Sequence, residues 1–438
     1  MFVFFILFTS SFVALDAFCP VLCNCTIKDF IACSGTSIRD IAALSIPSDV
    51  TYVYIGHTEA TELTNTSFQE TPITVRLFLE GNHFSFIESG VFQKFPLLKS
   101  LKLSNNNIRS LPPGIFHRLF HLEQLILERN AISDLDPYIF QNLTDLEQLM
   151  LNRNMLRQLP AGLLDHLVNL QILYLSRNKL GSLPKYIFNS LFKLKSLTLY
   201  ENRLSELTSG MFDNLTELQE LHLYANAIET VDKETFYNLP KLNVLTLHRN
   251  GIKTLPEGLF LYLPSLTKLT IYGNPLTELP SVLFCKMENL TNLWLYRTNL
   301  MTIPNFVFSN LTDLKLLVLT QNQKLQSLPK DAFSGLSKLQ ELALHSNSLE
   351  FLVEGLFQDL QQLQTLSLYS NKLKDLPENL FHPLINLENA YLNKSELMTL
   401  PGTFFKSLTK LKKVRLDGNQ LQPPVMIDIQ CFKSLSPG

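Results

Sequence analysis

The chain has 438 residues, with 37 lysines and arginines against 39 aspartates and glutamates. This near balance gives no support for general nucleic-acid binding, so a partner would have to be selected by local surface patches. The length alone would suggest two or three domains, but a repeat array grows without starting a new core, and we therefore expect one elongated domain.

Residues 1–17 are predicted to be a secretory signal peptide. They are largely apolar and end in a small residue before Phe18, although no basic residue stands near Met1. A membrane anchor is the weaker alternative, since the apolar run is shorter than the ~20 residues that a span needs. No later stretch of the sequence is long and apolar enough to cross a bilayer. The expected location is therefore extracellular, as a secreted protein, and membrane attachment would need a longer form with a C-terminal span.

Residues 18–51 are expected to form a cysteine-rich N-terminal cap. Its cysteines are Cys19, Cys23, Cys25 and Cys33, in the spacing C-x₃-C-x-C-x₇-C. In an exported chain such a cluster favours a pair of disulfides, with zinc binding as the weaker alternative. The bridges would cover the apolar end of the repeats that follow.

Residues 52–422 contain a tandem repeat of twenty-four residues, the interval from Asn82 to Asn106. One position marks each repeat, and we call it the ladder position. The ladder positions are Asn82, Asn106, Asn130, Asn154, Asn178, Asn202, Asn226, Asn250, Asn274, Thr298, Asn322, Asn347, Asn371, Ser395 and Asn419. Most of them end the phrase L-x-x-L-x-L-x-x-N-x-[LI], which is the leucine-rich repeat pattern. The predicted fold is an α/β leucine-rich repeat solenoid, a horseshoe with a parallel β-sheet on its concave face and a disulfide-rich N-terminal cap.

Each repeat is expected to supply a short strand, a turn and at most a brief helix or 3₁₀ segment. Leu101 and Leu103 alternate with polar residues, which predicts one buried and one solvent-facing side. A ladder asparagine can bond the backbone of its own coil and of the next one, so Thr298 and Ser395 should hold slightly weaker coils.

A row of phenylalanines recurs with the same period, half a repeat away from the ladder positions, and is expected to stack on the convex side. Both rows slip by one residue between Asn322 and Asn347. The added residue is expected to form an outward loop that leaves the strand register intact.

Sequons of the form N-x-[ST] mark expected surface positions in an exported chain. The expected glycosylation sites are Asn65, Asn142, Asn214, Asn289 and Asn310. Asn142, Asn214 and Asn310 share one place on the convex side, so sugars there would leave the concave face bare. Asn24 inside the cysteine cluster is a poorer site, and Asn393 falls in a strand column that we expect to be exposed.

The predicted functional surface is a row of rings on the concave face, which we call the ring stripe. It consists of Tyr200, Tyr224, His248, Tyr272 and Tyr296, each two residues before a ladder position. The predicted ligand-binding set adds His222, Trp294, Arg249, Arg297, His345 and Tyr369. Tyrosine, tryptophan and arginine dominate binding hot spots, so the stripe is predicted to bind a protein partner. The alternative is that the tyrosines only pack on one another and strengthen the sheet.

Catalysis and metal binding find no support in the sequence. It contains no H-E-x-x-H, no phosphate-binding glycine loop and no G-x-S-x-G motif. His222 and His248 occupy neighbouring repeats without an obvious third ligand, so neither a metal site nor a cofactor is predicted. The chain is therefore expected not to be an enzyme.

Residues 423–438 are expected to be an irregular tail. Cys431 in this tail lies six repeats beyond Cys285. That separation is about 29 Å at strand spacing and too long for a disulfide. Cys285 is therefore expected to be a buried or half-buried free thiol. A basic spot before the tail, expected to be mainly solvated, is made of Lys410, Lys412, Lys413 and Arg415.

Several phrases go beyond the general repeat pattern. They are Asn-Pro-Leu-Thr-Glu-Leu-Pro from Asn274, the tryptophan-containing repeat at 293–298, the phrase at 343–347 and the run at 41–44 after the cap. Together with the break at Thr298 and the slip before Asn347, they make the chain similar to the glycoprotein V family of platelet leucine-rich repeat receptors. The resemblance implies an extracellular adhesion protein of haemostasis, with von Willebrand factor, collagen or other leucine-rich repeat receptor subunits as partners. Receptors of this family carry a C-terminal cysteine cap that is missing from residues 423–438, so the resemblance also implies a truncated or alternatively assembled product.

The chain also resembles the non-catalytic subunit of plasma carboxypeptidase N, another secreted and cysteine-capped leucine-rich array. This second resemblance implies a regulatory subunit of an extracellular carboxypeptidase. A matrix or innate-immune recognition module fits the same repeat pattern.

Overall fold

A computed structural model describes residues 19–68 and 71–421 of the protein. The expected signal peptide and the tail with Cys431 lie outside these described residues. The repeats stack side by side into a solenoid that carries an 18-stranded sheet. The predicted leucine-rich repeat fold is therefore confirmed.

The strands are short, and most have three residues. In chain order they are β1 Cys23–Asn24, β2 Phe30–Ser34, β3 Tyr52–Gly56, β4 Glu62–Leu63, β5 Arg76–Phe78, β6 Phe86–Ile87, β7 Ser100–Lys102, β8 Gln124–Ile126, β9 Gln148–Met150, β10 Ile172–Tyr174, β11 Ser196–Thr198, β12 Glu206–Leu207, β13 Glu220–His222, β14 Thr230–Val231, β15 Val244–Thr246, β16 Lys268–Thr270, β17 Asn292–Trp294, β18 Leu316–Val318, β19 Glu341–Ala343, β20 Thr365–Ser367, β21 Asn389–Tyr391 and β22 Lys413–Arg415. Two 3₁₀ helices, Ala42–Leu44 and Val91–Lys94, are the only helices in the described residues, and turns form most of the convex side. Within those same ranges no helix is long and apolar enough to span a bilayer.

The main sheet is parallel except for β1, which pairs antiparallel with β2. Equivalent leucines of consecutive repeats face one another, as Leu173 does with Leu197. Between β18 and β19 the step is longer by one residue, because Leu317 pairs with Leu342. The added residue is accommodated in an exposed turn at 323–324. The predicted outward loop that keeps the register is therefore confirmed.

The core lies between the sheet and the convex side. Leu101 and Leu103 are fully buried, as their alternation with polar residues predicts. Phenylalanine rings stack through the convex half, where Phe92 and Phe116 lie 6.1 Å apart with planes inclined by 16°. Burying such a side chain contributes on the order of 1.5–3 kcal/mol, but only neighbouring coils provide the cover. One repeat alone would therefore not be stable.

The ladder asparagines join neighbouring coils through buried side-chain amides. In Asn106, Nδ2 donates to the carbonyl oxygens of Leu79 at 2.8 Å and Leu103 at 3.0 Å. Its Oδ1 accepts from the backbone N–H of Phe84 at 3.2 Å. These contacts correct the expectation of a bond to the next coil, because the turn groups that the amide satisfies belong to its own coil and the preceding one.

The residue directly before each ladder position has a positive φ, which the repeat pattern does not reveal. The angle is 53° at Arg129, 54° at Ala225 and 58° at Arg249, and glycine fills the same place at Gly81 and Gly273. This left-handed conformation costs an ordinary residue roughly 1–2 kcal/mol. It turns the chain out of the strand once per coil.

The N-terminal cap contains the disulfides Cys19–Cys25 and Cys23–Cys33. The second bridge joins β1 to β2, whose cysteines stand opposite each other. The predicted pair of disulfides is therefore confirmed. Cys285 is half-buried and is a free thiol in the described part of the chain, as expected.

Short polar side chains on the concave face are buried, although that side of the sheet faces solvent. Ser104 and Asn393 are only 1% and 5% exposed. Because neighbouring strands lie ~4.8 Å apart, longer side chains on the strands on either side cover a short one and exclude solvent from it. The expectation that Asn393 is exposed is therefore wrong, and its sequon lies in a poorly accessible place.

Candidate protein-binding site

The rings of the ring stripe stand on successive strands and stack face to face. Their centroids are 4.5 Å apart between Tyr200 and Tyr224, 4.5 Å between Tyr224 and His248, 4.3 Å between His248 and Tyr272, and 4.2 Å between Tyr272 and Tyr296. The planes of each pair are inclined by at most 16°. The in-register parallel sheet sets this spacing, because each ring projects from the strand next to the one before.

Face-to-face packing decides which parts of the rings a partner can reach. Neighbouring rings cover the ring faces, whereas all the side chains of the stripe are half-buried and so keep some exposed surface. In His248, Nδ1 lies 2.8 Å from Thr270 Oγ1, which leaves Nε2 as the second imidazole nitrogen available for bonding. The stripe therefore offers ring edges and polar tips, and it favours hydrogen bonds over insertion of a ligand between rings.

The central rings of the stripe are uncharged near neutral pH, and burial widens the pH range over which they stay uncharged. Burial and a neighbouring phenol raise the pKa of Tyr272 to about 12. Burial, followed by the cations Arg249 and Lys268, lowers the pKa of His248 to about 4. The centre of the stripe is therefore a neutral strip that can both donate and accept hydrogen bonds.

Stacking also stabilises the sheet, so the purely structural explanation of the tyrosines has a physical basis. An aromatic pair contributes ~0.5–1.5 kcal/mol beyond its buried area. Phenylalanine would supply this energy equally well, and it does so in the buried row on the convex side, as between Phe212 and Phe236. The polar tips of the concave rings are therefore not explained by stability alone.

One flank of the ring stripe carries His222 and Trp294, each four residues before a ladder position. His222 Nδ1 lies 3.2 Å from Thr246 Oγ1, and its Nε2 lies 3.7 Å from Glu220 Oε2. Lys268 Nζ lies 5.6 Å from the centre of a Trp294 ring. No group of three or more metal-ligating side chains occurs among the described residues.

The other flank carries Arg249 and Arg297, which are both exposed. They occupy the left-handed position before a ladder residue, with φ of 58° and 54°. This position lies where the chain leaves the strand, so positive charge borders the neutral stripe along that edge of the sheet.

His345 and Tyr369 form a separate stack and do not continue the ring stripe. Their centroids are 4.2 Å apart, with planes inclined by 8°. Thr320 occupies the same column between Tyr296 and His345, and it is only 4% exposed. The predicted residues therefore divide into one flanked stripe and one isolated pair on the same face.

A second aromatic group, at the N-terminal end of the concave face, is absent from the sequence prediction. Tyr52 lies between Phe30, at 4.6 Å, and Phe78, at 4.8 Å. Lys102 Nζ lies 4.1 Å from the centre of the Phe78 ring. Phe30 pairs with Tyr52 at a step two residues shorter than the repeat, so this group falls outside the repeat alignment. Alternation of rings within the first strands is the signal that could have found it.

The predicted glycosylation sites differ in accessibility. Three are exposed, namely Asn65, Asn289 and Asn310, and two are half-buried, namely Asn142 and Asn214. In the half-buried pair, Asn142 Nδ2 donates to His117 O at 2.9 Å and Asn214 Nδ2 donates to Asn189 O at 2.8 Å. Glycosylation at these five positions remains a prediction.

Curated relatives match only a short part of the chain. Platelet glycoprotein V from Mus musculus and its counterpart from Homo sapiens are each 41% identical over 72 residues, which is 16% of this chain and 13% of theirs. The chain therefore aligns with about an eighth of the length of these relatives.

Solved structures match over most of the solenoid. A chain of the Toll–Spatzle complex from Drosophila has a TM-score of 0.75 at 25% identity, covering 86% of this chain and 53% of that one. A leucine-rich repeat protein of Leptospira interrogans has a TM-score of 0.69 at 28% identity, covering 90% and 94%. Proteins of this architecture generally act as non-catalytic binding proteins.

The family model described as leucine rich repeat matches overlapping stretches of the sequence. Together these stretches run over residues 48–276 and 288–389. They include every residue of the ring stripe. Because the match extends over more than half of the sequence, the chain belongs to the leucine-rich repeat family.

Proposed function

We propose that this protein is an extracellular adhesion or ligand-binding protein that captures a protein partner on the ring stripe. The observation that carries the proposal is the unbroken stack of half-exposed rings with polar edges. Protein interfaces concentrate their binding energy in tyrosine, tryptophan and arginine, which are the residue types found here. The N-terminal disulfides support an oxidising, extracellular location.

A role in haemostasis is the specific form of this proposal. It is supported by the 72-residue stretch that is similar to platelet glycoprotein V. Von Willebrand factor and collagen are the partners that this likeness suggests, and other leucine-rich repeat receptor subunits are a second class.

The test is binding of the secreted full chain to immobilised von Willebrand factor and collagen, measured by surface plasmon resonance. The triple variant Tyr224→Ala, Tyr272→Ala, Tyr296→Ala should bind at least about 100-fold more weakly, because truncating even one hot-spot side chain costs about 2 kcal/mol or more and each ~1.4 kcal/mol is a factor of ten. Replacing the same three tyrosines by phenylalanine keeps the stack and removes the hydroxyls. We expect a smaller loss in that variant, with secretion unchanged.

The matched control removes three tyrosines that are exposed outside the sheet, Tyr138, Tyr186 and Tyr262. Their alanine triple should bind as tightly as the parent. Equal binding by the two alanine triples would move the site away from the ring stripe. Failure of the parent to bind both von Willebrand factor and collagen would overturn the proposed role in haemostasis. A carboxypeptidase that co-purifies with the chain from plasma would favour the alternative, a regulatory subunit of that enzyme.

A further inference from the structure

A second surface lies along the edge of the sheet where the strands end, in the N-terminal half of the solenoid. We call it the arginine edge, and it consists of Arg109, Arg129, Arg153, Arg157, Arg177 and Arg203. Each arginine stands within three residues of a ladder position between Asn106 and Asn202. All except Arg177 are exposed.

Most of the charge on the arginine edge is not neutralised within the described residues. Arg177 donates to Glu201 at 3.0 Å. The other arginines make no ion pair or side-chain hydrogen bond with the part of the chain that the structure describes. Glu128, an acidic neighbour in the same coils, instead accepts a hydrogen bond from Asn152 Nδ2 at 2.7 Å.

The arrangement of these arginines carries an electrostatic cost that, among the described residues, only the Arg177–Glu201 pair reduces. Arg129, Arg153 and Arg177 stand at the same place on consecutive coils, with φ of 53°, 58° and 56°. Consecutive coils are ~4.8 Å apart, well within the ~8 Å over which charges interact at physiological salt. Like-charge repulsion therefore opposes this row, although uncharged residues are accepted at the same place elsewhere, as at Ala225 and Gly273. Like charge that is kept close together in this way favours a role in binding an anion.

The basic spot near the C-terminal end differs from the arginine edge. Lys412 Nζ lies 2.8 Å from Glu388 Oε2, and Arg415 Nε lies 3.0 Å from Asp417 Oδ1. Those charges already have partners on the same surface. The arginine edge is therefore the better candidate for an anionic ligand.

We propose that the arginine edge binds an acidic segment of a partner polypeptide, which lies extended along the solenoid axis. The coils of Asn106 and Asn202 are four steps apart, so the edge is ~19 Å long and matches about six extended residues. Side chains on one side of such a segment recur about every 6.6–6.8 Å, within reach of arginines on neighbouring coils. A planar guanidinium holds a carboxylate through two parallel hydrogen bonds.

The short extent of the edge favours a peptide segment over a long sulfated glycan. At the place occupied by Arg129 and Arg153, the row of arginines is interrupted by Glu201 and Ala225 before Arg249. A long polyanion would gain from positive charge that continues along the axis, whereas an acidic segment of a few residues needs only this patch. Charge complementarity of this kind selects partners and speeds association.

The test is fluorescence anisotropy of a labelled octaglutamate peptide with the secreted full chain, with octaglutamine as the uncharged comparison. The glutamate peptide should bind, the glutamine peptide should not, and the affinity should fall as salt is raised. The variant Arg129→Gln, Arg153→Gln, Arg157→Gln should bind the glutamate peptide about tenfold more weakly or worse. The control Lys253→Gln, Lys286→Gln, Lys324→Gln removes the same charge from exposed positions elsewhere and should change affinity by less than about twofold.

Several outcomes would overturn the proposal. Equal losses of octaglutamate affinity in the arginine and lysine triple variants would show that binding depends on net charge alone. Absence of octaglutamate binding by the parent at low salt would exclude the arginine edge as a binding surface. Tighter binding of a heparin oligosaccharide through the same arginines would show that the ligand is a sulfated glycan and not an acidic polypeptide. The tyrosine-to-phenylalanine triple of the ring stripe should bind octaglutamate as the parent does, so failure of this proposal and failure of the proposed function are distinguishable.

Discussion

A single left-handed residue in each coil imposes a cost that glycine would relieve. At Ala225, φ is 54°. Ala225→Gly is expected to raise the free energy of unfolding by about 0.5–1 kcal/mol, which is the relief of backbone strain reduced by the greater freedom of glycine in the unfolded chain. Urea unfolding followed by circular dichroism measures the change.

The control for this prediction lies two residues away. Ala227 is exposed and is not among the residues with positive φ. Ala227→Gly should therefore lower the free energy of unfolding by about 0.5–1 kcal/mol, because only the entropic cost of glycine remains. The account is wrong if both variants change stability in the same direction.

His248 makes the stability of the solenoid sensitive to acid. Its pKa is about 4 in the folded protein against an ordinary value of 6.5. As pH falls through that interval, the unfolded chain takes up a proton that the folded chain does not, so stability present above pH 6.5 is lost. His248→Tyr should reduce the fall in melting temperature between about pH 7 and pH 4.

Other histidines limit the size of this effect and supply its control. Burial also lowers the pKa of His222 and of His345, so the variant keeps part of the acid sensitivity. His166 is exposed, and His166→Tyr should retain the pH dependence of the parent. A His248→Tyr profile that superimposes on the parent profile would contradict the assignment.

The repeat period predicts which side chains share a column, and it predicts less about how they are arranged. Residues one repeat apart face one another in an in-register parallel sheet, so the neighbourhood of Tyr200 and Tyr224 follows from counting. The face-to-face rotamers and the burial of Asn393 depend on the length of neighbouring side chains. The left-handed backbone at Arg249 carries no residue-type signal, because arginine, alanine and glycine all occupy that place.

At the scale of the element, the coil that ends at Thr298 lacks the bonds that asparagine makes elsewhere. Thr298 Oγ1 donates to Asn322 Oδ1 at 2.7 Å. An asparagine oxygen here would face the backbone N–H of Leu276, which has no acceptor among the described residues. Thr298→Asn is therefore expected to raise the free energy of unfolding by about 1–2 kcal/mol, measured by urea unfolding.

The reverse substitution tests the same explanation. Asn226 Nδ2 donates to Leu199 O and Leu223 O, both at 3.0 Å. Both carbonyls would keep a bond from a neighbouring ladder asparagine, but the backbone N–H of Leu204, which donates to Asn226 Oδ1 at 3.1 Å, would lose its acceptor. Asn226→Thr should therefore lower the free energy of unfolding by about 1–3 kcal/mol. Loss of stability in both variants would show that the missing bonds do not weaken the Thr298 coil.

At the scale of the whole molecule, stability is a sum over coils and their contacts with immediate neighbours. Cys23→Ser with Cys33→Ser removes the bridge between β1 and β2. We expect a local loss of about 2–4 kcal/mol. Hydrogen exchange should become faster in β2, β3 and β5 and change little beyond β10.

The matched control is Cys285→Ser, which removes a half-buried thiol without opening a disulfide. Exchange in β2 and β3 should stay as in the parent. Faster exchange along the entire sheet after loss of the cap bridge would mean that the solenoid unfolds as one cooperative unit.

The large-scale fold could be predicted because one period governs the leucines, the ladder positions and the phenylalanines together. The first coils could be predicted less well, since Phe30 and Tyr52 follow a shorter step and form an aromatic group that period counting overlooks. Long repeats thus make the middle of the chain predictable and leave its beginning to be read from the structure.

The chain has one tryptophan, and it is Trp294 on the flank of the ring stripe. Its emission therefore comes from the concave face alone, without a background from other indoles. A partner bound to that face would shift the wavelength of the tryptophan fluorescence or quench it, whereas a ligand bound to the convex turns would leave the fluorescence unchanged. The wild-type protein thus contains its own optical probe of the surface on which the proposed adhesive function depends.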